Sequence, residues 1–193
     1  MVATSRPRRR RWVRSPGPPP PGVTMLAMLD LFSGLGGASR AMRDRGWRVV
    51  TVELDRAFRP DVVADVQSLP ITGHWDLVWA SPPCAEFSRW GMPWFPRVAP
   101  SLDLVDAARS AIAAIRPRWW VIENVRGAIP WLGTPTRTAG PVMLWGEMPP
   151  FSVRIRGWKG RLSSSQRAKR AEIPYALSLA LAKACETEAV LFP

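Results

Sequence analysis

Two cysteines, Cys84 and Cys185, are too few to staple a chain of 193 residues. With no export signal in view they point to a reducing interior rather than a disulfide framework. No apolar run approaches the length of a membrane span. The stretch that follows the N-terminal arginines, residues 23–29, is short and stops at Asp30. The expectation is a soluble cytoplasmic protein. Lysine is also scarce, confined to Lys159, Lys169 and Lys183, so arginine carries the basic charge. Alongside 21 prolines and 11 tryptophans, that bias fits coding composition as well as function.

What is present is positive charge and one long stretch able to form a core. The formal net charge is +12. Arg6, Arg8, Arg9, Arg10, Arg11 and Arg14 supply half of it within the first 22 residues, which contain no acid. The +6 left on the remainder still suits a polyanionic partner. Residues 1–22 join that charge block to a polyproline run and have little to bury, so they are expected to be disordered. A nucleic-acid tether, a linker, or sequence upstream of a start at Met25 or Met28 all fit them.

From Met25 the pattern is that of alternating buried strands and helices. Apolar strands are expected at residues 25–32, 47–53, 62–64, 75–79 and 119–122. Helices are expected over 38–45, over 101–116 with Ser101 as cap and Pro117 as stop, and over 173–188. The 101–116 helix shows Leu102, Val105, Ala108, Ile112 and Ile115 on one face; the last shows Ile173, Leu177, Ala180, Leu181 and Ala184. This order predicts an α/β fold, a doubly wound parallel sheet in a single domain with helices on both faces. Ligands of such sheets bind at the carboxyl ends of strands.

The chemistry-bearing residues fall at those ends. The first strand runs into Phe32-Ser33-Gly34-Leu35-Gly36-Gly37, where glycines let the backbone turn sharply and approach a ligand. By itself such a turn also fits a dinucleotide, a phosphate, or a purely structural role. Glu53 closes the second strand, where a carboxylate can accept two ribose hydroxyls. Asp65 follows the third, where it can accept from an adenine amine. The fourth strand delivers Pro82-Pro83-Cys84, with consecutive prolines holding a cysteine rigidly near a helix start, a placement suited to a nucleophilic thiolate. Cys185, on an apolar helix face, reads as a small buried hydrophobe. The fifth strand delivers Glu123-Asn124, an acid beside the nucleophile if strands four and five are neighbours.

Phe32 to Gly37, Pro82-Pro83-Cys84 with Phe87-Ser88, and Glu123-Asn124-Val125 together resemble the signature motifs of the cytosine-5 DNA methyltransferase family, in its order and over residues 25–127. The resemblance implies a Rossmann-like catalytic domain over 23–193 that uses S-adenosylmethionine and no metal. It implies a small phage-type member lacking a full target-recognition domain, in a prokaryotic cell or phage-infected host. Phe32, Ser33, Gly34, Leu35, Gly36 and Gly37, with Glu53, Leu54, Asp65, Val66 and Pro82, would hold the cofactor. Pro83 would orient the base, Cys84 would attack carbon 6 of a flipped cytosine, Glu123 would engage its ring nitrogen 3, and Asn124 would brace the cysteine loop. Residues 89–95, with Arg89, Trp90, Trp94 and Phe95, fall where the family carries a mobile loop over DNA, although ordinary packing of these aromatics fits as well.

The sequence departs from the family in three places. Ala85 replaces the glutamine that follows the nucleophile. About 45 residues, 127–171, stand where a recognition domain would be, so 131–170 is expected to be a reduced version, or a partner chain supplies specificity. The family's glutamine-arginine-arginine strand is not evident; Arg154 and Arg156, which alternate as on one strand face, are the candidates for base or phosphate contacts, and a plain exposed strand fits them equally. DNA is the expected substrate, with protection from restriction as the expected role. RNA of the tRNA type and a noncatalytic nucleic-acid-binding remnant are the competing readings.

Overall fold

The computed structural model describes residues 13–14, 25–69, 71–90, 92–94, 98–155 and 172–191. Strand β2, Ala27–Leu31, is buried along its whole length and forms the middle of the sheet. Its register sets Leu29 opposite Val50 of β3, Arg48–Glu53, and opposite Val78 of β6, Leu77–Ala80. Strand β7, Trp119–Val125, follows parallel to β6, and the two-residue β4, Val62–Val63, lies parallel on the far side of β3. With β8, Arg137–Ala139, and β9, Val142–Glu147, the seven-stranded order is β4-β3-β2-β6-β7-β9-β8.

Side chains alternate between the two faces of each strand. On one face Leu29, Leu31, Val52, Val78 and Ala80 pack with Val105, Ala108 and Ile112 of α3, Asp103–Ile115. Ser101 accepts from the Asp103 amide at 3.1 Å. Arg116, left-handed at φ 50°, ends this helix before Pro117. On the other face Met28, Leu77, Trp79 and Val121 pack with Ala38 and Met42 of α1, Gly37–Asp44, and, beyond the single-turn α4, Ile129–Leu132, with Leu177, Leu181 and Cys185 of α5, Tyr175–Leu191. The buried stripe of α5 is Leu177, Ser178, Leu181, Ala182 and Cys185, so Ala180 and Ala184 lie at its margin rather than its centre. Helices on both faces of a mainly parallel sheet make this a Rossmann-like α/β domain.

The far edge differs from an all-parallel sheet. Strand β9, Val142–Glu147, runs antiparallel to β7, and β8, Arg137–Ala139, antiparallel to β9. The reason is connection length. A parallel crossover needs about a dozen residues or more, whereas β8 and β9 are joined only by Gly140-Pro141, with Gly140 at φ 61°. Gly146 lies so close to the Trp120 carbonyl that no Cβ fits there. Residues 137–147 thus belong to the central sheet, although the sequence suggested part of a recognition region. Arg154 is exposed in a segment, 151–155, without regular structure, and Arg156 lies outside the described residues. Within the tail expected to be disordered, β1, Val13–Arg14, pairs parallel with β5, Ile71–Thr72; the rest of residues 1–22 lies outside the described residues. Among the described residues no helix is long and apolar enough to cross a membrane.

Candidate active site

Strands β2, β3, β6 and β7 are parallel, so their carboxyl ends share one edge of the sheet. At the end of β2 the chain reverses through Phe32, φ 57°, Gly34, φ 49°, and Gly36, φ 74°. Left-handed conformations favour glycine, and Phe32 adopts one despite its side chain. The Ser33 amide donates to the Val52 carbonyl at 3.1 Å and the Gly36 amide to the Ser33 carbonyl at 2.8 Å, fixing the turn against β3. A Cβ on Gly34 would meet nothing within 4 Å, so the turn faces open space. A Cβ on Gly37 would lie 2.6 Å from the Ile173 carbonyl oxygen, so the chain entering α5 presses on the first residue of α1.

Glu53 joins the glycine turn to the end of β3. Its Oε2 accepts from the Gly34 amide at 3.0 Å and its Oε1 from the Leu54 amide at 2.8 Å. Leu54 is 67% exposed beside it. Asp65, also exposed, caps a single 3-10 turn after β4 by accepting from the Gln67 amide at 3.0 Å. Val66 points the other way. Its side chain is buried in the cluster under α3, leaving its backbone as the part able to face a ligand.

At the end of β6 the Ser81 amide donates to the Leu31 carbonyl at 3.1 Å, drawing the Pro82-Pro83-Cys84 segment beside the glycine turn. Pro82 is buried and Pro83 exposed. Cys84 is half-buried at the start of α2, Ala85–Arg89, and its carbonyl accepts from the Ser88 amide at 2.8 Å. On the neighbouring strand Glu123 is half-buried and Asn124 fully buried. Both lie within β7, which continues three residues beyond the expected end. Asn124 Nδ2 donates to the Pro82 carbonyl at 3.1 Å, and its Oδ1 accepts from the Val125 amide at 2.9 Å. The side chain that follows the acid is therefore hydrogen-bonded to the loop that carries the cysteine. Gly127 packs on the Phe87 carbonyl so closely that any side chain would collide with it, which fixes α2 against the end of β7. Trp90 meets Trp131 edge-on, with ring centroids 5.6 Å apart.

Two features carry no signal in local sequence pattern. Gly127 matters because of a contact made 40 residues away. Asp30, a lone acid in an apolar strand, is 0% exposed and lies two residues before Phe32. Burial pushes its carboxyl up to about 7, with Ser39 and Arg43 opposing and Glu53 and Asp61 reinforcing the rise. Nearby, Asp61 accepts from the Thr51 amide and hydroxyl at 2.8 and 2.7 Å and from Arg43 at 2.7 Å. Burial opposes ionisation of Asp61, but these partners hold its carboxyl below the usual range. Burial raises the Cys185 thiol strongly. Among the described residues no group of three or more His, Cys, Asp or Glu is placed to hold a metal.

No protein-family model matches the chain. It is 32% identical over 114 residues to a "Probable DNA (cytosine-5)-methyltransferase" of Frog virus 3 (isolate Goorha), a match covering 51% of this chain and 53% of that protein. It is 28% identical over 116 residues to the "Type II methyltransferase M.AplI" of Arthrospira platensis, covering 55% of this chain and 33% of the relative. The chain thus spans about half and a third of the lengths of these two relatives. Among solved structures, an E. coli prophage-encoded protein named as a DNA modification methyltransferase aligns at 25% identity over 54% of this chain and 33% of its own, with a TM-score of 0.39. Over about half of its length the chain is thus similar in sequence to proteins named as a DNA (cytosine-5)-methyltransferase and a type II methyltransferase.

Proposed function

We propose that the chain transfers a methyl group from S-adenosylmethionine to carbon 5 of cytosine in DNA. The observation that carries this reading is the Asn124–Pro82 hydrogen bond, which ties the strand bearing Glu123 to the loop bearing Cys84. Nucleophile and acid then stand on adjacent strand ends, with the glycine turn on the strand beyond.

The residues around that turn fit the cofactor. An open glycine turn offers backbone amides, an acid closes β3, and a second acid follows β4. Glu53 and Asp65 would take the ribose hydroxyls and the adenine amine, with the Leu54 side chain and the Val66 backbone beside them and Pro82 at the loop. When bound, S-adenosylmethionine supplies an electrophilic methyl group. The chain's own residues prepare its acceptor. Cys84 Sγ adds to carbon 6 of a base taken out of the duplex, while Glu123 holds ring nitrogen 3 as electron density shifts onto the ring. Pro83 orients that base. Carbon 5, made enamine-like, would take the methyl group as that group's bond to the donor sulfur breaks, with S-adenosylhomocysteine as the leaving group. Loss of the carbon 5 proton then expels Cys84 and restores the aromatic ring.

Target contacts fall to a short region. Residues 148–155 return along β8, where Arg137 donates to the Phe151 carbonyl at 2.8 Å, and reach the hairpin tip, with Ile155 Cβ 4.0 Å from where a Gly140 Cβ would lie. The chain is again described at Glu172 and Ile173, against Gly37. Both stems stand at the active-site edge. Between them the sequence carries Arg156, Lys159, Arg161, Arg167, Lys169 and Arg170 and no acid. We assign phosphate and base contacts to this stretch together with Arg154.

The test is methyl transfer from labelled S-adenosylmethionine to DNA and to RNA, followed by nucleoside analysis. Label in 5-methylcytosine from DNA, absent with Cys84→Ala, is expected. Label on another base, or undiminished by Cys84→Ala, overturns the chemistry, and label in RNA alone overturns the substrate.

A further inference from the structure

A groove of about 490 Å³ lies on the α3 face of the sheet, outside the site described so far. Leu69 and Ile71 form one wall, and Ala107 and Ala111 of α3 form the apolar part of the other. Asp103 and Asp106, exposed in the first turn of α3, complete it. Among the described residues no lysine or arginine lines this groove, on a chain whose net charge is +12. Asp106 pairs with Arg109 of its own helix at 3.0 Å, an exposed contact of the kind that contributes little. Among the described residues Asp103 has no cationic partner. An apolar trough with acids at one end suits a basic peptide whose side chains have apolar stems.

The chain carries such a peptide, Arg8-Arg9-Arg10-Arg11-Trp12, immediately before β1. Strand pairing brings its attachment point to the groove, because Val13 stands in parallel register with the wall residue Ile71. The same direction followed back two residues leads from Val13 to Arg11, and from Ile71 to Leu69. Beyond Leu69 that wall continues to Gln67, in the single turn capped by Asp65. The opposite wall starts at Asp103, two residues after Ser101, whose amide donates to the Glu86 carboxylate of the Cys84 helix at 2.7 Å. The groove therefore opens at the active-site edge, and a chain followed back from Val13 runs towards that opening. The lengths agree as well. Arg8 to Trp12 spans about 13 Å when extended, and Asp103 to Ala111 spans about 12 Å along α3.

We propose that this groove is the docking site of the chain's own arm, residues 8–12. Trp12 covers Leu69, Ala107 and Ala111, and the guanidinium groups of the arginine run meet Asp103 and Asp106. Two acids cannot neutralise four arginines, so the arm is anchored while part of its charge stays available. That charge, with Arg6 beyond it, is held at the edge where nucleic acid is expected instead of being dispersed on a free tether. The docking itself does not depend on the methyl-transfer reading.

The experiment is photocrosslinking of the full chain with p-benzoylphenylalanine in place of Trp12, which keeps an aromatic side chain there. Products are separated by size and their peptides mapped by mass spectrometry. A crosslink within the monomer to residues 66–71 or 103–114 is expected. The same chain carrying Asp103→Lys and Asp106→Lys should give at least about threefold less of it, because both acids are then replaced by like charge. Crosslinks found only in a dimeric product assign the groove to a second copy and overturn the proposal. Crosslinks to other surfaces, or a yield unchanged by the two lysines, overturn it too. Should the charge-reversed chain fail to fold, about 1 M salt, where the Debye length is about 3 Å, takes its place. The yield should fall there as well, and an unchanged yield contradicts the docking.

Discussion

Asp30 and Asn124 show how differently two buried polar residues behave. Asn124 has its bonds, to Pro82 and to the Val125 amide. Replacing it with alanine leaves a buried carbonyl unpaired, which costs about 1–3 kcal/mol. Because the bond lost also holds the cysteine loop, methyl transfer should fall more than stability does, as seen by comparing turnover with a urea unfolding curve. Asp30 has only the Ser39 hydroxyl and the Arg43 charge set against its complete burial. Burial pushes its carboxyl up from the ordinary carboxylate range to about 7 in the folded chain, so the folded state binds more protons than the unfolded state across that interval. Stability is therefore lost as pH rises through that window. Asp30→Asn should be more stable than wild type at pH 8, by an amount on the order of 4 kcal/mol at most, with the advantage shrinking towards pH 4. Thermal melts of both chains across pH 4–8 check this, and parallel curves would contradict it.

Contacts between elements place glycines where residue chemistry alone would not. Gly37 meets the backbone at Ile173, so Gly37→Ala must push the start of α5 away from α1. The expected cost is about 1–3 kcal/mol, with increased hydrogen exchange in α5 as its local sign. Gly127→Ala must displace α2 through the Phe87 carbonyl, and should lower activity through the placement of Cys84. The parallel strands were legible in the sequence because each is a short apolar run ending in glycine, proline or an acid, and those endings are where the candidate residues stand. The β8–β9 hairpin was not legible. Arg137–Ala139 is short and polar, and the apolar residues of β9 fit a helix or a strand until they are paired with β7. The depth of Asp30 and the closeness of Gly127 to Phe87 depend on segments far apart in the chain, which no local pattern encodes.

For the whole molecule the decisive features are a short sheet edge and an excess of arginine. One edge gathers the glycine turn, Glu53, the Cys84 loop and the end of β7, and both stems of the basic stretch after Ile155 reach it. Half of the net charge lies in residues 1–22. Removing them should weaken binding to DNA of any sequence and make its logarithmic salt dependence shallower by up to about 5, without changing which cytosines are methylated. A change of target sequence on removal would contradict a nonspecific role. The measurement that tests the central claim most directly is a covalent trap. The chain is incubated with S-adenosylmethionine and DNA containing 5-fluorocytosine, and the denatured, digested product is sequenced by mass spectrometry. A nucleotide attached to the peptide through Cys84 is the predicted result. No adduct, or one carried by Cys185 or another residue, would contradict the account.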